Sequence, residues 1–306
     1  MEESIYHIPA LLTPTIDALI TNSSGIYADA TFGGGGHSRA ILNRLGADGR
    51  LYGFDRDADA LRNSPDDSRF TFVHSDFRFM RNFLRFYGEG RIDGILADLG
   101  VSFHHFDTAE RGFSFRADAP LDMRMNQNGT LTAATVLNDY TEEDLTRILK
   151  VYGDLKQGGR IARQIVKTRE NAPLLTTNDL RDAVSSLINP RQQKKELAQI
   201  FQALRIEVND EMESLRALLR SSLDILKPGG RFAVLTYHSI EDRIVKNFFR
   251  SGTFDGEVKK DFFGRVTTPW KLVGKNPIVP GEDEIEANPR SRSAKLRVAE
   301  FIGQEQ

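Results

Sequence analysis

Four short apolar runs mark the first hundred residues. Ile26-Tyr27-Ala28-Asp29-Ala30 runs into a glycine cluster, and Leu51-Tyr52-Gly53-Phe54-Asp55 ends in an acid. Phe70-Thr71-Phe72-Val73-His74 follows, and then Ile92 to Asp98, again ending in an acid. Between them lie segments with helical spacing, such as Ser38 to Leu45 and Phe79 to Tyr87. Short apolar strands alternating with helices predict an α/β fold whose parallel sheet is covered on both faces.

The next strong strand pattern is Arg231 to Tyr237, introduced by the turn Lys227-Pro228-Gly229-Gly230 after an amphipathic helix over Glu211 to Leu226. One crossover unit needs only about 30 residues. The stretch from Asp98 to Arg231 is several times longer, so something is inserted. Its pattern is helical. Thr141-Glu142-Glu143-Asp144 resembles a capping box ahead of Leu145, Ile148 and Leu149. Gly158 to Glu170, Asn178 to Ile188 and Gln193 to Ile206 repeat the helical spacing. The expected organisation is a discontinuous core over 1–105 and 209–306, with an all-helical insert over 106–208. Trp270 to Val273 and Ala294 to Ala299 are expected to close the sheet.

Composition narrows the chemistry. The 306 residues carry no cysteine, which excludes disulfides, thiolate zinc sites and a thiol nucleophile. Any reaction that runs through a cysteine-linked covalent intermediate is likewise excluded. No metal site is expected. The net charge of −2 excludes a uniformly basic coat but not local basic patches. No stretch reads as a membrane span or a leader, so the expected location is the cytoplasm.

The candidate chemistry lies after the first strand, in Asp29-Ala30-Thr31-Phe32-Gly33-Gly34-Gly35-Gly36-His37-Ser38. Glycines let the chain turn sharply and let a ligand approach the backbone. Asp55, at the end of the next strand, can accept both hydroxyls of a ribose. The dinucleotide fingerprint G-x-G-x-x-G/A fails here: counted from Gly33 its last position is Ser38, and from Gly34 it is Arg39. An acid in the loop, Asp29, suits a cationic ligand. S-adenosylmethionine is therefore favoured over NAD. Asp98 reads equally as a ligand-site acid or a helix cap, and Phe77 as a core ring or one that stacks on an adenine.

The motifs extend well beyond the loop. They include His7 to Leu12, Phe54-Asp55-Arg56-Asp57, Asp93 to Ser102, Glu110 to Phe115 and Pro120 to Met125. They continue through Phe201 to Ile206, His238 to Lys246 and Asn288 to Ser293. In this order they closely resemble the bacterial small-subunit rRNA cytosine-N4 methyltransferases, nearly end to end. The resemblance implies a Rossmann-like S-adenosylmethionine methyltransferase sheet with an inserted helical, substrate-recognising domain. It implies methylation of a cytidine N4 in the decoding region of 16S rRNA, with small-subunit rRNA or the assembled small subunit as partner. It also implies cofactor contacts at Gly35, Gly36, His37, Asp55, Phe77, Asp98 and His105. Position 105 departs from the glutamine usual in the family, position 119 has Ala119 for glycine, and position 199 has Gln199 for arginine.

The target amine nitrogen is a weak nucleophile, and placing it is the main task of such an enzyme. Ser102, or the carbonyls of Asp98 to Ser102, and His238 are the candidate groups to meet it. His238 reads equally as a cap on the helix that starts at Ser239, and Ser102 as part of a plain strand exit. Arg290, Arg292, Lys295 and Arg297, with Lys167, Arg169, Arg191, Lys194 and Lys195, are candidate phosphate contacts, although most such clusters are solvated faces. Arg111, Phe113, Phe115 and Arg124 suit either an unstacked base or the packing of the insert. A homodimer is compatible with the sequence. The competing functions are an NAD-dependent oxidoreductase and a non-catalytic RNA-binding assembly factor.

Overall fold

A computed structural model describes residues 9–100, 109–258, 260–264 and 266–303. The chain divides into two compact units, 1–100 with 213–306, and 101–212.

The first unit is built on a seven-stranded sheet. Its strands are β1 (Ile26–Asp29), β2 (Arg50–Asp55), β3 (Phe70–His74), β4 (Ile92–Asp98), β5 (Leu226–Thr236), β6 (Trp270–Leu272) and β7 (Lys295–Phe301). They lie in the order β3-β2-β1-β4-β5-β7-β6. The first five run parallel, and β7 is antiparallel to both of its neighbours. β1 and β4 are hydrogen-bonded neighbours although two strands separate them in sequence. The strand order therefore reverses between them, which is where an open α/β sheet leaves a crevice at the carboxyl ends of its strands.

Helices α1 (Leu12–Leu19), α2 (Gly36–Leu42) and α3 (Met80–Phe86) belong to this unit. The central strands are apolar because both of their faces are covered. Tyr27, Leu51, Phe54, Ile95, Leu96, Phe232 and Val234 are all fully buried.

The β5 segment differs from its expected form. Leu226 pairs with Ile92, and pairing resumes only at Arg231 with Gly94. Lys227-Pro228-Gly229-Gly230 is thus an irregularity inside the strand span rather than a turn ahead of it. Gly229 sits at φ +84°, and Lys227 Nζ lies 2.8 Å from Asp93 Oδ2.

The second unit is helical among its described residues: α4 (Ala133–Asp139), α5 (Glu142–Val151), α6 (Gly158–Arg169), α7 (Thr177–Val184) and α8 (Gln193–Val208). Ala133, Val136, Leu145, Ile148, Ile161, Ile165, Leu180, Ile200 and Leu204 form its own buried core. Thr141 caps α5 through the Asp144 N–H, while the full reciprocal capping box is at Thr176 and Asp179 on α7. Helix α9 (Glu211–Ile225) carries the chain across the division and back into β5. The division at 101 and 212 brackets the expected 106–208 by a few residues on each side.

Candidate active site

The loop after β1 folds around two carboxylates. Asp29 ends β1 and is 1% exposed. Its Oδ2 accepts 2.7 Å from Ser38 Oγ, and its Oδ1 accepts 3.1 Å from the Thr31 N–H. Burial pushes this carboxyl above its ordinary pKa, and the Ser38 bond opposes the shift. Its oxygens are turned inward onto the loop.

Gly35 caps α2 in the left-handed region, at φ +73°, and a Cβ there would stand 3.0 Å from the Phe32 ring. A Cβ on Gly36 would stand 2.4 Å from Pro9 Cγ. Gly35 is required by the turn and by packing, Gly36 by packing alone.

Asp55 ends β2 and ties the loop down. Its Oδ2 accepts 2.8 Å from the Gly33 N–H, and its Oδ1 accepts 2.8 Å from the Asp57 N–H. The residue stays partly exposed. Phe77 opens a short 3₁₀ turn after β3. It is half-buried, with the Arg56 guanidinium 5.7 Å from its ring centroid. It is therefore not a core ring.

Asp98 ends β4, next to β1. Its side chain is 23% exposed, and its Oδ2 lies 3.6 Å from His37 Nδ1. The hydroxyl of Tyr237, the residue that follows β5, donates 2.8 Å to its Oδ1. Burial raises the Asp98 carboxyl to about 7, the Tyr237 bond lowers it, and the charge of Glu241 adds to the rise. Burial likewise pushes the Tyr237 phenol up. Its carboxylate meets side chains from α2 and from the residue after β5, while the segment it would cap lies outside the described residues.

His37 is 6% exposed, and burial holds its imidazole below the ordinary value. Its Nε2 is buried without a hydrogen-bond partner among the described residues. An orphaned buried nitrogen, two half-exposed carboxylates on strands flanking β1, a half-exposed ring and a Cβ-free turn match what a nucleoside carrying positive charge would use.

His238 is the N-cap of α10 (Ser239–Ser251): its Nδ1 accepts from the Glu241 N–H at 3.5 Å, and its Nε2 lies 3.0 Å from Glu241 Oε1. The cap reading thus describes its geometry. Ser102 and His105 lie outside the described residues.

The other candidates divide. Within the insert, Arg111 lies over the 5%-exposed Phe113 and donates to the Arg124 and Met125 carbonyls, and Phe115 meets Phe201 edge-on. Arg124 grips Asp122. These four residues pack the insert. Lys295 and Arg297 both pair with Asp242, which removes them from the free basic cluster, while Arg292 and the Arg191, Lys194 and Lys195 group are exposed. Sequence reasoning missed Tyr237; its hydroxyl gave no signal in a run that reads as buried strand.

This strand order, with a glycine turn after β1 and acids closing β2 and β4, defines a Rossmann-like methyltransferase. Residues 4–302 match the MraW methylase family, and the chain belongs to that family. It is 55% identical over 302 residues to the ribosomal RNA small subunit methyltransferase H of Parabacteroides distasonis, covering 98% of this chain and 99% of that one. The Bacteroides fragilis (strain ATCC 25285) protein of the same name is 55% identical over 299 residues, 98% of each chain. That of Flavobacterium johnsoniae is 53% identical over 297 residues, 97% of this chain and 98% of that one.

Proposed function

We propose that the protein transfers a methyl group from S-adenosylmethionine to the N4 amine of a cytidine in the decoding region of 16S rRNA. The observation that carries the reading is the glycine turn flanked by Asp55 and Asp98, in a chain matched over residues 4–302 by a methylase family.

S-adenosylmethionine supplies an electrophilic methyl group on a sulfonium. Asp55 would hold the ribose hydroxyls, Phe77 would offer its ring face to the adenine, and Gly35 and Gly36 would let the ligand approach the backbone. Asp98 and His37 would hold its polar end, and His105 is assigned a further contact. The carboxylates favour a cationic ligand over a pyrophosphate.

The target amine has its lone pair delocalised into the ring, so alignment is the main device. An acceptor toward its N–H favours the charge that develops there. Ser102 and His238 are assigned to this edge, with His238 held by Glu241. The insert is assigned to substrate recognition. Among the described residues no helix is long and apolar enough to cross a membrane, and the assigned setting is the cytoplasm, on rRNA or the small subunit.

Nucleoside mass spectrometry of small-subunit rRNA, incubated with the protein and S-adenosylmethionine, tests the reading. N4-methylated cytidine is expected to appear, and its absence would reject the function.

A further inference from the structure

Helices α5 and α6 of the insert close against each other where α6 begins. Gly158, the first residue of α6, is buried, and a Cβ there would stand 2.9 Å from Lys150 Cγ. The glycine therefore lets the stem of Lys150, on α5, lie against the start of α6. Beside this contact the surface forms a groove of about 470 Å³, lined by Lys150, Lys156, Gln157, Gly159, Arg160 and Arg163. All four cations are exposed. Among the described residues, Lys150, Lys156 and Arg160 have no carboxylate partner, and Arg163 meets one, Glu142, at 3.2 Å. Glu196, bonded to the Gln157 amide at 3.0 Å, is also held by the Asn189 N–H and does not line the groove. Solvated helix faces alternate charges of both signs. This groove draws four cations to one concavity and answers them with one acid.

The occupant is anionic, and its class follows from what the lining lacks. No aliphatic or aromatic residue lines the groove. A protein partner anchors through such residues, and lysine is depleted at the core of protein interfaces. A membrane-surface element likewise sets an apolar face beside its cations. Cations without apolar anchors fit phosphates, to which lysine offers a point charge and arginine a forked donor. Lys167, exposed and four residues beyond Arg163 on α6, continues the row along one helix face. A row of cations suits a chain of phosphates rather than a single ion.

We propose that the groove at the start of α6 is a phosphate-binding site of the insert, in which Lys150, Lys156, Arg160 and Arg163 hold the backbone of the substrate RNA without reading its bases. This rests on the rRNA-methylation reading and names a surface of the insert for it.

The test uses the full-length protein, small-subunit rRNA and a single-stranded oligoribonucleotide of unrelated sequence. In Lys150→Gln/Lys156→Gln/Arg160→Gln, affinity for both RNAs is expected to fall at least about tenfold at low salt. The slope of log affinity against log salt should flatten by about 2–3. The loss should appear as a raised KM for rRNA rather than a lowered kcat, with S-adenosylmethionine affinity as the control for folding. Gly159→Glu sets a carboxylate in the groove and in the first turn of α6, where an acid favours the helix. It should lose RNA affinity without losing melting temperature. Arg191→Gln/Lys194→Gln/Lys195→Gln removes equal charge elsewhere on the insert and should lose less. An equal loss there, or wild-type RNA affinity in the groove variants, would overturn the site. So would binding to anionic phospholipid vesicles that the triple groove variant loses while keeping its RNA affinity. Failure of the wild type to methylate rRNA at all would instead reject the function beneath it.

Discussion

The Tyr237 hydroxyl donates a 2.8 Å hydrogen bond to Asp98 Oδ1 and joins the end of β5 to the end of β4. Asp98 has a carboxyl raised to about 7, so its charge changes near neutrality. A carboxylate that receives ligand donors must be ionised. S-adenosylmethionine affinity is therefore expected to rise as pH increases through about 7 and then level off. Tyr237→Phe removes a bond that favours the ionised form, so the midpoint should move upward, with affinity restored at alkaline pH. Calorimetric titrations from about pH 6 to about pH 9 check this, and an unchanged midpoint would refute it.

The same group acts in the opposite direction on the unliganded fold. Its folded pKa lies above the unfolded value of about 4. Its contribution to stability is fully present below about 4 and is lost as pH rises through about 7. Denaturation of the cofactor-free protein should show that Asp98→Asn, which stays neutral, removes this loss. An undiminished decline in the variant would count against Asp98 as its source.

Gly35→Ala places a Cβ at φ +73° beside the Phe32 ring. The left-handed conformation alone costs about 1–2 kcal/mol for a non-glycine residue. Thermal denaturation should report that loss, together with weaker S-adenosylmethionine binding. Wild-type values in both would show that the turn does not need glycine.

His238 and Ser102 can be tested apart from capping. His238→Asn keeps a strong N-cap residue on α10 and removes the imidazole. Its melting temperature should stay close to wild type while kcat falls about a hundredfold or more, the usual range for a lost acid–base group. Ser102→Ala is expected to lower kcat with little change in S-adenosylmethionine affinity. Normal turnover in both would end their assignment to the target amine.

In the insert, Asn209 Oδ1 accepts from the Met125 N–H, and its Nδ2 donates to the Met123 and Arg205 carbonyls. Asn209→Ala should destabilise the protein by about 2 kcal/mol or more, because buried backbone groups lose their partners. Urea denaturation measures this, and a change under about 0.5 kcal/mol would contradict the role given to Asn209.

The sheet was legible because each parallel strand is a closed apolar run ending where the chemistry begins, as at Asp55 and Asp98. Helix α1 was not read: its eight residues hold Pro14 and too short a period to stand out. Neither was α11 (Glu282–Ala287), an acidic six-residue turn of helix with no buried side chain. At the site, sequence marks which acids lie near the glycines but not where their oxygens point. Asp29 and Asp98 look alike on paper. Ser38, nine residues on, turns the first inward, and Tyr237, far along the chain, holds the second at the crevice. Arg111 and Phe113 show the same limit, since an arginine beside an aromatic serves packing as readily as base recognition.

The neighbour that completes β4 is β5, and the insert lies between them in sequence. During synthesis β1, β2, β3 and β4 emerge first, and the β5-facing edge of β4 carries open backbone donors and acceptors until residue 226 and beyond has been made. The insert's helices make mostly local contacts and can close their own core during that interval. The methyltransferase sheet is then a late product of translation. Slowing elongation just before β5 should prolong the life of a half-sheet that is prone to pair with other chains.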